Sequence, residues 1–327
     1  MSPTTIPAAV LRVCGEPPSL EERAAPAPAV RELPITVVAA PITPLDLLCA
    51  SGTSYFGTPA LPYVPGVQGV GRLPDGTGAW FATAAGMRPG DGSMAGAVAV
   101  PADDVVTLPP GVPLELVAAL GLSAVAAHAA LTRAGNLADG EQVVVLGAGG
   151  VVGQAAVQLA RLGGARRVIA VARSAGARER ALRLGADAAV PLLDGDDPPT
   201  LAARLREAAD GPVDLVIDPV FGVPAAAALR VLRPGGRLVN LGGSAAPTAP
   251  IDSATLRSGS LRVVGYTNNS LTVAQRAASV AVVAGHAAAG RLTAEHEVVP
   301  FTSVAEAWSR QAAGRAEGRI VLALEAG

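Results

Sequence analysis

The chain has 327 residues, of which half are apolar and only 16% charged, with a net charge of −2. That length and apolar content suit two domains with real cores, while the low charge argues against a nucleic-acid footprint and a polybasic membrane anchor. Two cysteines, Cys14 and Cys49, are too few for a four-ligand structural zinc site or a disulfide framework, and all 25 cationic residues are arginine, which excludes Schiff-base chemistry on a lysine.

Met1 to Val10 lacks the charged start and long apolar core of a leader, so a cytoplasmic enzyme is the expectation. Through about residue 110, short apolar runs (Ile35–Ala40, Ala79–Ala82, Ala95–Val100) stand between prolines and glycines. This pattern predicts short strands in a small all-β unit. Leu116–Leu131 is mostly alanine, carries His128, and reads as a buried helix, too short and too weakly apolar for a membrane span. Six further apolar runs follow: Gln142–Leu146, Arg167–Val171, Ala188–Val190, Val213–Ile217, Arg237–Leu241 and Leu261–Val264. Helical spacing separates them, most clearly over Val151–Leu162 and Pro224–Leu232. Strands alternating with helices predict an α/β fold with a doubly wound parallel sheet, and six strands match the Rossmann count. In the tail, strands are expected at Val298–Val304 and Arg319–Leu324 with a helix over Val304–Ala313, rejoining the N-terminal β unit.

The sharpest local signal is the passage from Val143 through Gly147, Gly149 and Gly150 to Val151, Val152 and Gly153. A strand enters glycines and leaves as a helix. Glycine allows the tight turn and close approach to a pyrophosphate, and the helix start supplies free amides and a positive dipole end. A glycine-rich turn alone is often only a turn; the strand–loop–helix context and five more strands point to dinucleotide binding. At the end of the second strand, Ala172, Arg173 and Ser174 stand where an NAD site usually places an acid. A cation and a hydroxyl suit the 2′-phosphate of NADPH, and Arg178 is close enough in sequence to join them. Arg180 and Arg183 read as a solvated helix face.

Several segments resemble the medium-chain dehydrogenase/reductase superfamily, in its zinc-independent quinone oxidoreductase and enoyl reductase branch. They are Ala39–Asp46, Leu61–Gly69, Gly140–Leu162, Leu184–Asp187, Val213–Asp218 and Leu232–Gly242, in the family's order. The resemblance implies a GroES-like β-barrel catalytic domain over residues 1–120 and 266–327, and a Rossmann NADP-binding domain over 121–265. It also implies a cleft between them and a homodimer built by edge pairing of the Rossmann sheets. No metal is expected: Thr43, Val67 and Gln68 stand where the zinc branch carries Cys, His and Glu, and the four-cysteine lobe is missing.

Without a Lewis acid, an already activated acceptor fits best, a quinone or an α,β-unsaturated carbonyl. Tyr55 falls where enoyl thioester reductases of this branch place a tyrosine, and is the candidate acid; a tyrosine packed in a loop is the plain alternative. Thr43 falls where many members carry Asn facing cofactor and substrate; a turn threonine before Pro44 is its alternative. Asp46 reads as structural, Tyr63 and Trp80 as cleft or core, and His128 as a core histidine. Leu241, Gly242 and Gly243 end the fifth strand and are expected against the nicotinamide side, with Asn268 or Asn269 on the loop after the sixth. The reading is an NADPH-dependent reductase of a conjugated carbonyl, with a small-molecule substrate and neither nucleic acid nor membrane as partner. A one-electron quinone reductase is the alternative, and a non-catalytic NADPH-binding redox sensor the alternative of another class.

Overall fold

The computed structural model describes residues 4–324. The chain folds as two compact units: one comprises the residues up to Gly121 and again from Val273, the other Leu122–Thr272.

The first unit begins with an antiparallel hairpin, β1 (Thr5–Val10) and β2 (Ser19–Ala24). Then come β3 (Glu32–Pro41), α1 (Pro44–Ala50), β4 (Gln68–Arg72), β5 (Gly78–Ala82), β6 (Ala97–Pro101), β7 (Val105–Thr107) and the start of α2 (Leu114–Ala129). Along β3 the side chains first alternate, Ile35 in, Thr36 out, Val37 in; from Val38 onward every residue is buried. Up to Thr36 the strand pairs with β6; from Ala39 it lies between β4 and the C-terminal strand Arg319–Ala323. Thr43 starts α1 with a capping box, and Pro44 at the first helical position fixes φ where no amide partner is needed.

The second unit alternates β8 (Gln142–Val145), α3 (Val151–Leu162), β9 (Arg167–Ala172), α4 (Ala175–Arg183), β10 (Ala188–Pro191), α5 (Pro198–Ala208), β11 (Val213–Asp218), α6 (Gly222–Leu229), β12 (Leu232–Asn240), α7 (Ser253–Gly259) and β13 (Arg262–Gly265). Its sheet is parallel throughout, in the order β10-β9-β8-β11-β12-β13. The order reverses between β8 and β11, and a crevice at the carboxyl ends of these strands is where such sheets bind ligands. Val144, Leu146, Ile169, Val171, Val216 and Leu238 form its core with Leu201 and Leu205 of α5. Each such full burial contributes about 1.5–3 kcal/mol.

The chain then returns through α8 (Val273–Ala288), β14 (His296–Pro300), α9 (Val304–Ala312) and β15 (Arg319–Ala323). β15 lies antiparallel to β3, so the tail does complete the N-terminal sheet. Trp308 and Phe301 pack there with Leu11, Ile42, Met94 and Leu322.

Three expectations are corrected and one element is new. β14 stops at Pro300, and Phe301–Ser303 form a 3-10 turn into α9, so Val304 is helical. α8 was not anticipated, although Val280, Val283, Ala284 and Ala287, all buried, have helical spacing. The second chain crossing lies at Thr272/Val273 rather than 265/266. Tyr266 N donates to Asn240 O at 2.9 Å and Asn268 Nδ2 to Leu122 O at 2.9 Å, holding this stretch to the second unit. Finally, helical structure continues from α2 through a π-helical turn to Ala134, and Leu114–Ala134 is long and apolar enough to cross a membrane. It packs mostly inside the protein, and Gly121 breaks it with φ 30° and ψ −133°.

Candidate functional site

At the carboxyl end of β8 the chain turns through Gly147, whose φ of +63° suits glycine. A Cβ at Gly153 would lie 2.4 Å from Gly147 O and 2.6 Å from Ala148 Cα. Glycine at this position is what lets the first turn of α3 sit against the loop. Ala148 N is held by Val171 O at 2.9 Å, and Gln154 Nε2 donates to Gly149 O at 3.0 Å. α3 starts at Gly150 with no side-chain cap. The amides of Val151, Val152 and Gly153 have no protein acceptor among the described residues. Uncapped amides beside a glycine cradle at a topological switch point fit a dinucleotide pyrophosphate.

At the end of β9, Ala172 is buried, and Arg173 and Ser174 are exposed. Ser174 caps α4, its Oγ accepting from Ala177 N at 3.2 Å; its hydroxyl proton is not used in that bond. Arg178 Nη1 donates to Ala172 O and Arg173 O, which pins this guanidinium across the strand end. The structure therefore brings Arg173, Ser174 and Arg178 together on the edge that carries the glycine loop.

The strands across the switch point contribute two groups not anticipated as functional. Asp218, fully buried at the end of β11, accepts from Val220 N (3.1 Å), Phe221 N (2.7 Å) and Asn240 Nδ2 (2.9 Å). Burial pushes its carboxyl above the usual range, against the pull of Phe221, Asn240 and Val220. Asn240 Nδ2 also lies 2.8 Å from Gly242 O, so it holds the loop containing Leu241, Gly242 and Gly243. Val220 sits against Gly147. Asn268 is placed differently from the expectation. Its Oδ1 accepts from Tyr266 OH at 2.8 Å and its Nδ2 donates to Leu122 O, so both ends of the amide are engaged by protein. Burial raises the Tyr266 phenol to about 12, keeping it a donor.

In the first unit the two catalytic candidates differ in setting, Thr43 buried and Tyr55 exposed. Thr43 is buried, and its hydroxyl donates to Asp46 Oδ2 at 2.6 Å while accepting from Asp46 N. The proton is committed to the cap of α1 and is not offered to a substrate carbonyl. Asp46 also accepts from Thr43 N and Val67 N, each at 2.8 Å. Tyr55 lies on an exposed loop, 76% accessible, with its ring 4.2 Å from that of Phe56. Tyr63 and Trp80 are core residues, and burial drives the Tyr63 phenol well above its usual range. Trp80 Nε1 donates to Gln68 Oε1 at 3.1 Å. Cys49 is buried, and its thiol is pushed up by desolvation, which makes it a poor nucleophile.

A family profile described as zinc-binding dehydrogenase matches residues 151–285. The chain is 29% identical to a phenolphthiocerol/phthiocerol polyketide synthase of Mycobacterium tuberculosis over 90% of its own length, but spans only 14% of that protein. It is 30% identical to the mitochondrial enoyl-[acyl-carrier-protein] reductase of Arabidopsis thaliana, covering 82% of this chain and 73% of that one. Among solved structures, the quinone oxidoreductase of Thermus thermophilus, also determined in complex with NADPH, is 29% identical with a TM-score of 0.76, covering 97% and 99% of the two chains. Thr43, Val67 and Gln68 do not make a zinc set, and the Thr43 hydroxyl and Gln68 carboxamide are already hydrogen-bonded to protein. Given the Arabidopsis match across most of both chains, the protein belongs to the medium-chain dehydrogenase/reductase superfamily, in its quinone oxidoreductase and enoyl reductase branch.

Proposed function

We propose that the chain is an NADPH-dependent, zinc-independent reductase of a small conjugated carbonyl compound, acting on the alkene of an enone or enoyl substrate. The observation that carries this reading is the row of amides without protein acceptors at Val151–Gly153, with Arg173 and Ser174 where a ribose-binding acid would stand. The α3 amides and dipole would hold the pyrophosphate, and Arg173, the Ser174 hydroxyl and Arg178 the 2′-phosphate. When bound, NADPH supplies hydride to the activated carbon. Leu241, Gly242 and Gly243 would orient the nicotinamide end through backbone groups, and Tyr55 would supply a proton to the reduced product. The acyl chemistry in the names of the Arabidopsis and Mycobacterium relatives supports an enoyl acceptor. We further infer a homodimer through β13, a sheet-edge strand with Arg262 and Val263 exposed.

One-electron quinone reduction is the second reading. It is favoured by the commitment of the Thr43 proton to Asp46, because that reaction needs no protein acid. The test is anaerobic turnover of C4-deuterated NADPH with simple quinones, enones and 2-enoyl thioesters. Deuterium at the β-carbon of an enone or thioester is the expected result, and Tyr55→Phe should then slow product formation. NADPH oxidation with quinones alone, with no label retained on carbon, would favour quinone reduction and demote Tyr55. Tight NADPH binding with no turnover on any acceptor would leave a narrow specialist or a redox sensor.

A further inference from the structure

Phe221 has φ +60° and ψ −157°, a conformation a bulky residue rarely adopts. It is followed by Gly222 at φ +68°. Two bonds hold this turn in place: Phe221 N and Val220 N both donate to Asp218 Oδ1. The turn is not isolated. A Cβ at Gly147 would lie 2.6 Å from Val220 Cγ1 and 3.3 Å from Pro219 Cγ, so the turn backs the glycine loop. Ala245 N donates to Val220 O at 2.8 Å and Ser244 Oγ to Pro219 O at 3.3 Å, so it also supports the loop after β12. That second loop is tied to Asp218 again. Leu241 N donates to Asp218 O at 2.8 Å, and Asn240 Nδ2 spans Asp218 Oδ2 and Gly242 O.

Asp218 makes no ion pair among the described residues, so its charge is held in the protein by neutral donors alone. Burying an unpaired carboxylate is costly. An asparagine could accept the two turn amides through one oxygen, but its amide nitrogen would then face Asn240 Nδ2, donor against donor. Only an acceptor on both sides serves both loops.

We propose that Asp218 is the positioning residue of the cofactor crevice. One arm, through Phe221 and Val220, sets the loop behind the glycine turn; the other, through Asn240, sets the loop at the nicotinamide end. This assignment rests on the dinucleotide reading. Asp218 touches no cofactor atom itself. It fixes in advance the backbone on which the cofactor docks, so its loss appears as weakened binding.

The test is NADPH affinity by fluorescence titration, alongside thermal melting, for Asp218→Ala, Asn240→Ala and the double variant Asp218→Ala/Phe221→Gly. Asn240→Ala removes one arm and should weaken NADPH about fivefold while melting within a few degrees of wild type. Asp218→Ala should weaken it about tenfold or more. Adding Phe221→Gly should recover about threefold of that loss, because glycine takes the strained conformation without a tether. A structural role alone would lower the melting temperature and leave the affinity of the folded fraction unchanged. NADPH bound equally well by wild type, Asn240→Ala and folded Asp218→Ala, or a double variant no better than Asp218→Ala, would overturn the assignment and leave the cofactor reading standing. A wild type that binds neither NADPH nor NADH would overturn both.

Discussion

Arg173 is exposed and follows directly on the buried end of β9, where the proposed reading puts the 2′-phosphate of NADPH. Arg173→Ala should raise KM for NADPH about 10–100-fold, the size expected for losing one charge-assisted contact. KM for NADH should change little, and steady-state kinetics with both cofactors checks this. A proportionate rise with both would show that Arg173 acts on general binding. The residues of the glycine loop were legible because their spacing is local and their chemistry is in the backbone. Asp218 and Asn240 were not, because their bond joins positions 22 residues apart on neighbouring strands and needs the register of β11 on β12. Thr43 stands between two readings, a polar group facing ligand where relatives carry Asn and a turn threonine before Pro44; Asp46, three residues on, supplies the reciprocal half of a capping box and takes the hydroxyl proton.

At the scale of the element, α3 depends on its approach to the glycine loop. Gly153→Ala places a methyl 2.4 Å from Gly147 O, a backbone atom that can move only with the loop. The overpacking should cost about 1–3 kcal/mol of stability. NADPH affinity should fall at the same time, and melting with titration reads both. The opposite end of the sheet carries a different device. Arg237, buried in β12, donates to both oxygens of Glu141 at 2.7 and 2.6 Å and to the carbonyls of Gly135, Asn136 and Asp214. Burial pushes the Glu141 carboxyl up, but the hydrogen bonds from Arg237 and Ala138 N and the Arg237 charge together outweigh it and hold the group below its usual value. A depressed folded value means that this stabilisation is present above the ordinary carboxylate range. It is lost as pH falls through the lower, folded value. Arg237→Met should cost about 1.5–3 kcal/mol at neutral pH by removing the main charged donor of Glu141, with Arg233 and Ala138 N left to hold the carboxylate. It should also flatten the acid limb of a stability–pH curve, which denaturant titration across the acid range up to neutral pH measures.

For the whole molecule, the alternation of strands and helices made the parallel sheet readable, and the Pro- and Gly-punctuated start made the β unit readable. The crossing at Thr272/Val273 was not readable, since Tyr266 and Asn268 are held by hydrogen bonds to Asn240 and Leu122, which are distant in sequence. The buried helix expected over Leu116–Leu131 is there, although the full stretch Leu114–Ala134 is longer and more apolar than that reading allowed. The exposed edge at β13 leads to a prediction about assembly. Val263→Asp should convert a dimer to monomer in light scattering after size exclusion, with the monomer still binding NADPH. A wild type that is already monomeric would remove the basis for that interface.

The pairing of β3 with β15 carries a consequence for synthesis. Pro41 meets Val321 across about 280 intervening residues, and Arg319 Nη1 donates to Ile42 O at 2.8 Å. Leu122–Thr272 is contiguous and can close while still attached to the ribosome, whereas the apolar run Val38–Pro41 waits with one side unpaired. At 5–20 residues per second that wait is roughly 15–60 s. The nascent chain thus carries an open, hydrophobic strand edge until Arg319–Ala323 has been made. Newly made molecules should depend on chaperone cover at the N-terminal unit far more than finished ones do.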